Sequence, residues 1–233
     1  MADPRVIPLH LSDVTFPHGH PLEGSTGPVL GFAVVHDEGV LLFDTGVGTG
    51  HAEVEEYYRP RVRPIAEALA EHGISTADVT AIANSHLHFD HVGANRSFPG
   101  LPAYAQAVEL ELAPNPDHTI VEWVGLDVLR FTAVPPHEEV EVAPGAVLIA
   151  TPGHTPGHQS LVLDTAVGPV VLAGQALYTA AEWEGSTDPT ESGVPNAPDV
   201  MAYSESVHRL RRLDPVRMHF AHDHTVWDRH RSD

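Results

Sequence analysis

Between His86 and His91 the sequence reads HLHFDH, three histidines and one aspartate in six consecutive positions. A solvated loop has no need of such a cluster, and a core would not tolerate it unpaired. Imidazole and carboxylate together suit Zn²⁺ and related first-row cations. In extended chain, residues i and i+2 point the same way, so His86 and His88 can share one cation. Asp90 and His91 lie just beyond, where the chain turns, and can face a second cation a few ångströms away. Distant segments offer more ligands. His154 and His158 sit in TPGHTPGH, and His154 is preferred for the first cation because it comes first after a strand end. The other reading of both is a Gly/Pro turn in which they pair with backbone carbonyls. His222, in FAHDH, would serve the second cation, with His224 as its competitor. His18 and His20 share the i, i+2 spacing but read as solvated loop residues.

The elements around these motifs are legible as alternating apolar runs. VLGFAVV (29–35) and VLLF (40–43) read as strands joined by a turn at Gly39. Arg63 to His72 reads as a helix, with Pro64 near its start and Gly73 at its end. Ser75 to Asp78 has the form of a capping box. Thr80 to Asn84 is then a short strand that delivers the histidine cluster at its C-terminal end. Ala103 to Ala113 mixes a strand with a helix, and Val147 to Thr151 is a strand leading into TPGHTPGH. Ser160 to Leu163 and Pro169 to Ala173 pair through Gly168. Asp199 to Leu213 is an amphipathic helix, and Arg217 to Ala221 a last strand before AHDH. Two stretches, 16–28 and 184–198, read as loops, long enough to suggest function. This order predicts two mixed sheets packed face to face with helices outside, an α+β architecture in one domain spanning residues 1–233.

Composition limits the partners. The chain has 233 residues, 42% of them hydrophobic and 19% charged, as in ordinary soluble globular proteins. Its formal net charge of −20 disfavours nucleic acid and anionic membrane surfaces. All twelve basic residues are Arg, so Schiff-base chemistry through Lys is excluded. There is no Cys, which excludes disulfides and thiolate ligands. No apolar run has the length of a signal peptide or a membrane span, which gives a cytoplasmic expectation. Oligomerisation stays open.

The motifs SHLHFDHVGAN, TPGHTPGHQSL and FAHD, with LLFDTG at 41–46, resemble the metallo-β-lactamase superfamily, and within it the N-acyl homoserine lactonases. The resemblance runs from about Val29 to about Trp227. It implies an αββα sandwich with two divalent cations, most simply zinc, at one edge. His86, His88 and His154 would hold the first. Asp90, His91 and His222 would hold the second, and Asp44 would orient the site from behind. It further implies a hydrolase that opens a neutral acylated lactone, with water made reactive by the cations attacking the ring carbonyl, a quorum-quenching activity. Asp90 would orient the water and pass its proton to the leaving alkoxide, and Tyr178 would hydrogen-bond the carbonyl. The alternatives are another carboxylic ester or thioester hydrolase and a non-catalytic metal-binding homologue. One position departs from the family pattern: the bridging aspartate is replaced, in VLAGQALY, by Gln175. A neutral amide raises the net charge of the centre by one and should weaken the second cation. Phe16, Trp123 and Trp183 are candidates for an apolar wall or for plain core.

Overall fold

The runs TGPVLGFAVVH and GVLLF, rich in β-branched and aromatic residues, pair as an antiparallel hairpin closed at His36 and Gly39. This hairpin is the middle of the first sheet. The computed structural model describes residues 3–19, 23–185 and 197–230. The first sheet comprises β1 (Arg5–Thr15), β2 (Thr26–His36), β3 (Gly39–Phe43), β4 (Arg61–Val62), β5 (Val79–Ala83), β6 (Pro102–Gln106) and β7 (Arg130–Val134). Its order is β4-β1-β2-β3-β5-β6-β7, antiparallel up to β3 and parallel from β3 onward. The second sheet comprises β8 (Val140–Ala143), β9 (Ala146–Ala150), β10 (Gln159–Leu163), β11 (Val170–Leu172), β12 (Arg217–Phe220) and β13 (Asp223–Asp228), in the reverse of that order. Only β11 and β12 are parallel in it.

Side-chain alternation builds three apolar layers. Leu30, Phe32, Val34, Leu41 and Phe43 point inward and meet Leu148, Leu161, Leu163 and Leu172 of the second sheet. The alternate residues of the first sheet, among them Ala33, Val40 and Leu42, pack under α2 (Ile65–Ala70) with Ile65, Ala68 and Leu69. On the outer face of the second sheet, Val171 and Met218 pack under α6 (Ala180–Gly185) and α7 (Val200–Arg212), through Trp183, Val207 and Leu210. Covered on both faces, the central strands read as continuous apolar runs rather than polar/apolar alternation. The result is the expected αββα sandwich. None of the described helices is long and apolar enough to cross a membrane.

Five strands were not anticipated from the sequence: β1, β4, β7, β8 and β13. β1 alternates Ile7, Leu9 and Leu11 with Pro8 and His10, a pattern diluted by polar residues. β7 and β8 are short and half-exposed. β4 lies just before the segment expected to be helical, and α2 is shorter than expected because Pro64 is its N-cap. The remaining helices are α1 (Ala52–Tyr57), α3 (Phe89–Val92), α4 (Ala107–Leu112) and α5 (Val121–Val124).

Candidate metal centre

Loops that leave the same edge of the two sheets carry the chemistry. Asp44 follows β3, Ser85 to His91 follow β5, and His154 follows β9. Gln175 follows β11, and His222 follows β12. Main-chain bonds stitch these loop starts together: Asp44 N–H to Ala83 O at 3.0 Å, Gln159 N–H to Ser85 O at 2.8 Å, and Ala221 N–H to Gly174 O at 3.1 Å. Gly174, at φ 60°, brings its loop so close that a Cβ would lie 2.7 Å from the Ser85 Cβ.

Two ligand sets form. One ligand atom from each of His86, His88 and His154 falls within 4.8 Å of the other two, and the same holds for Asp90, His91 and His222. The sets abut, since the rings of His86 and His91 are 4.1 Å apart. The Nδ1 of His88 and the Nε2 of His154 are 3.0 Å apart. Nε2 of His86 and Nε2 of His222 are buried with no hydrogen-bond partner among the described residues. A buried, unpaired ring nitrogen is costly unless something absent from the chain's own atoms meets it. Burial and neighbouring imidazoles push His86 well below the ordinary histidine range, and His88 to about 3. Burial likewise lowers His222 to about 4. Neutral imidazoles offer lone pairs, which is the form a cation requires. These donors fit two divalent cations.

The surrounding groups orient the ligands. Asp44 is fully buried at φ 63°, a conformation that aspartate and asparagine adopt more readily than most residues other than glycine. Its Oδ1 accepts from Ser85 N–H at 2.7 Å, and its Oδ2 faces Ser85 Oγ at 2.7 Å and His91 Nδ1 at 2.9 Å. His222 Nδ1 donates to Pro28 O at 3.0 Å, which leaves Nε2 toward Asp90. Burial opposes a charge on Asp90, but His91, His222 and His88 outweigh it and hold the carboxyl below its ordinary range. Burial also opposes protonation of His91, yet Asp90, Asp44 and its hydrogen bonds raise it to about 9. Asp90 Oδ2 lies 3.7 Å from Nε2 of both His91 and His222.

Gln175 sits between the second set and Tyr178. Its Oε1 accepts from His91 Nε2 at 2.9 Å, and its Nε2 donates to the Tyr178 hydroxyl at 2.8 Å. Tyr178 stacks on His222 at 4.8 Å between ring centroids. Burial, with Asp90 nearby, raises the phenol above its ordinary range, so it stays neutral. His158 is not a ligand in this arrangement. Its Nδ1–H points to Thr151 O at 3.1 Å, and its Nε2 accepts from Gln175 N–H at 2.9 Å. The backbone-paired reading of His158 is therefore the one the structure bears out, and the residue fixes the Gln175 loop.

The other sequence candidates fall away from the centre. His224 packs edge-on against His10 at 4.9 Å, and His18 is exposed and bonded to Glu23. His20 and most of the loop at 184–198 lie outside the described residues. Trp183 is core, against Trp227 at 5.7 Å and under the Arg211 guanidinium at 5.3 Å. Phe16 is buried against Gly27. Trp123 alone of the three shares an apolar cluster with Phe89 and Tyr58, whose rings are 4.6 Å apart. Phe89 stands between His88 and Asp90 in the sequence, so this cluster borders the centre.

Glu109 and His118 went unnoticed in the sequence. Glu109 is fully buried, and burial alone would raise its carboxyl, yet His118, Thr155 and the Leu87 N–H hold it at about 2. In AVELEL nothing separates it from the exposed Glu111.

Comparison with known proteins agrees with the geometry. The metallo-beta-lactamase superfamily model matches residues 24–222. An N-acyl homoserine lactonase of a Bacillus species is 35% identical over 170 residues, 67% of each chain. The N-acyl homoserine lactonase AttM of Azorhizobium caulinodans is 29% identical over 221 residues, 86% of this chain and 83% of that one. Among solved structures, an N-acyl homoserine lactone hydrolase with N-hexanoyl-L-homoserine bound at its catalytic metal centre superposes with a TM-score of 0.78. It is 28% identical and covers 96% of this chain and 95% of its own.

Proposed function

The chain belongs to the metallo-β-lactamase superfamily, and from that premise we propose that it hydrolyses the ring ester of a neutral N-acyl homoserine lactone. The observation that carries the proposal is the pair of abutting ligand sets, with buried Nε2 atoms of His86 and His222 left unpartnered among the described residues. His86, His88 and His154 would hold one divalent cation, and Asp90, His91 and His222 the other, with the Gln175 amide oxygen beside the second. Zinc suits this nitrogen-rich donor set. Cations bound there supply a Lewis acid for the substrate carbonyl and lower the pKa of water toward about 7.

The chain's own groups divide the remaining work. Asp90, kept ionised, can take a proton from the attacking water and return it to the leaving ring oxygen as the C–O bond breaks. Tyr178 accepts from the Gln175 amide, so its own O–H is left to donate to the carbonyl oxygen. Gln175 can do this because an amide accepts and donates at once, whereas a carboxylate only accepts. Retention of a neutral, oriented tyrosine supports a working carbonyl site over a non-catalytic homologue. Phe89, Tyr58 and Trp123 offer an apolar border for the acyl chain. The net charge of −20 suits an uncharged substrate better than a phosphate ester.

The test is ring opening of N-acyl homoserine lactones by purified protein, followed by acid release, with metal content measured on the same sample. Protein holding two equivalents of zinc that opens no such lactone would overturn the proposal.

A further inference from the structure

One carboxylate outside the ligand sets joins the two chain segments that supply the first of them. Glu109, on α4, accepts from Leu87 N–H at 3.0 Å and from His118 Nε2 at 2.9 Å through Oε2, and from Gly157 N–H at 3.1 Å through Oε1. Leu87 lies between His86 and His88, and Gly157 lies three residues after His154. Both segments therefore hang from the two oxygens of one side chain. Gly157 is shaped for this approach: a Cβ there would lie 2.6 Å from Glu109 Cγ and 2.9 Å from its Oε1. His118 backs the carboxylate from the far side, and its ring is 5.1 Å from that of His88.

A buried carboxylate is an expensive way to fill a core. Desolvating it costs several kcal/mol, and an apolar side chain would be buried without that cost. What an apolar residue lacks is two acceptors aimed at two main-chain N–H groups. Among the described residues, the groups that meet Glu109 are main-chain N–H groups, the Thr155 hydroxyl and the His118 imidazole, with no Lys or Arg.

We propose that Glu109 is the positioning residue of the first ligand set, a clamp that holds His86, His88 and His154 at cation-binding distance by bonding Leu87 and Gly157 together. The inference rests on the metal-centre reading above. It separates Glu109 from the ligands themselves, since no Glu109 atom belongs to either set.

Glu109→Gln is the informative change. It keeps size and shape but leaves one acceptor oxygen for two N–H groups, so one tether is lost and an amide N–H faces a main-chain N–H. Zinc is titrated into metal-free wild type and E109Q against a chelating dye, and cobalt(II) absorption at one equivalent reports ligand geometry. E109Q should bind one equivalent about 10–100-fold more weakly than wild type, the usual effect of losing a group that orients ligands. Its cobalt spectrum should also change, while the other equivalent is affected less. His118→Ala, which leaves both main-chain tethers in place, should weaken the same equivalent by a smaller factor, and it carries the test should E109Q not fold. Variants that match wild type in both affinities and in the cobalt spectrum overturn the clamp but not the centre. Wild type that takes up no zinc overturns the centre, and the clamp with it.

Discussion

His91 Nε2 and Gln175 Oε1 are hydrogen-bonded at 2.9 Å, while the other nitrogen of the same ring faces Asp44 Oδ2 at 2.9 Å. The imidazole is thus aligned from both ends, and the group beside its Nε2 is a neutral amide. A carboxylate there would lower the net charge of a two-cation centre by one. Gln175→Asp is therefore expected to tighten the second zinc equivalent by about 10–100-fold. A competitive chelator titration of both proteins measures this, and equal affinities would contradict it. The same change should loosen Tyr178, because aspartate is a methylene shorter and has no N–H to give the phenol.

In the proposed reaction Tyr178 acts on the substrate rather than on the metal. Its hydroxyl accepts from Gln175 and its ring stacks on His222, so removing only the oxygen leaves the stack intact. Tyr178→Phe should lower kcat for lactone opening by about 10²-fold, the scale for losing one donor to a developing oxyanion. Metal content should stay at the wild-type level and KM should change little. A kcat within a factor of two of wild type would remove Tyr178 from the reaction.

Much of this arrangement was legible in the residues. His86, His88 and His154 meet where spacing and strand ends put them, because β5 and β9 both end at the same edge. Asp90, His91 and His222 meet for the same reason. Gln175 and Tyr178 were found only through the resemblance, since an isolated Gln-x-x-Tyr carries no spacing signal. Glu109 was invisible: its neighbours Leu87 and Gly157 are 22 and 48 residues away, and its burial depends on which face of α4 the sheet covers. For Trp183 the sequence left wall and core equally open, because a large aromatic beside a loop reads alike whether it lines a site or packs under a helix.

Asp44 joins the strand end to the ligands. Its two oxygens serve Ser85 N–H, Ser85 Oγ and His91 Nδ1, all within 2.9 Å. Asparagine tolerates positive φ as well as aspartate does, so Asp44→Asn changes the acceptor set without imposing a new backbone. The bonds from Ser85 Oγ and His91 Nδ1 lose their charged acceptor, and once a cation takes His91 Nε2 the Nδ1–H would meet an amide N–H donor to donor. The expected result is about 10–100-fold weaker zinc binding and a loss of about 2–4 kcal/mol in unfolding free energy. Urea unfolding of the metal-free proteins reads the second figure. Unchanged stability together with unchanged zinc affinity would show that Asp44 only turns the chain.

A separate pH effect should arise away from the centre, at His219 on β12. This ring is buried, packs edge-on against Phe32 at 5.6 Å, and is lowered by burial and by Arg217 to about 4. The unfolded chain carries an ordinary histidine there, near 6.5. Between those values the unfolded state binds the proton and the folded state does not, so stability is full above about pH 6.5 and falls as pH drops toward 4. A difference of this size is worth about 3 kcal/mol when fully expressed. His219→Leu, of similar volume and without a titrating group, should lose stability less steeply over the same interval. Urea midpoints of wild type and variant between pH 7.5 and 4.5 supply the comparison, with the other buried histidines, such as His158, common to both. Parallel curves would mean that His219 takes up its proton in the folded protein as readily as in the unfolded one.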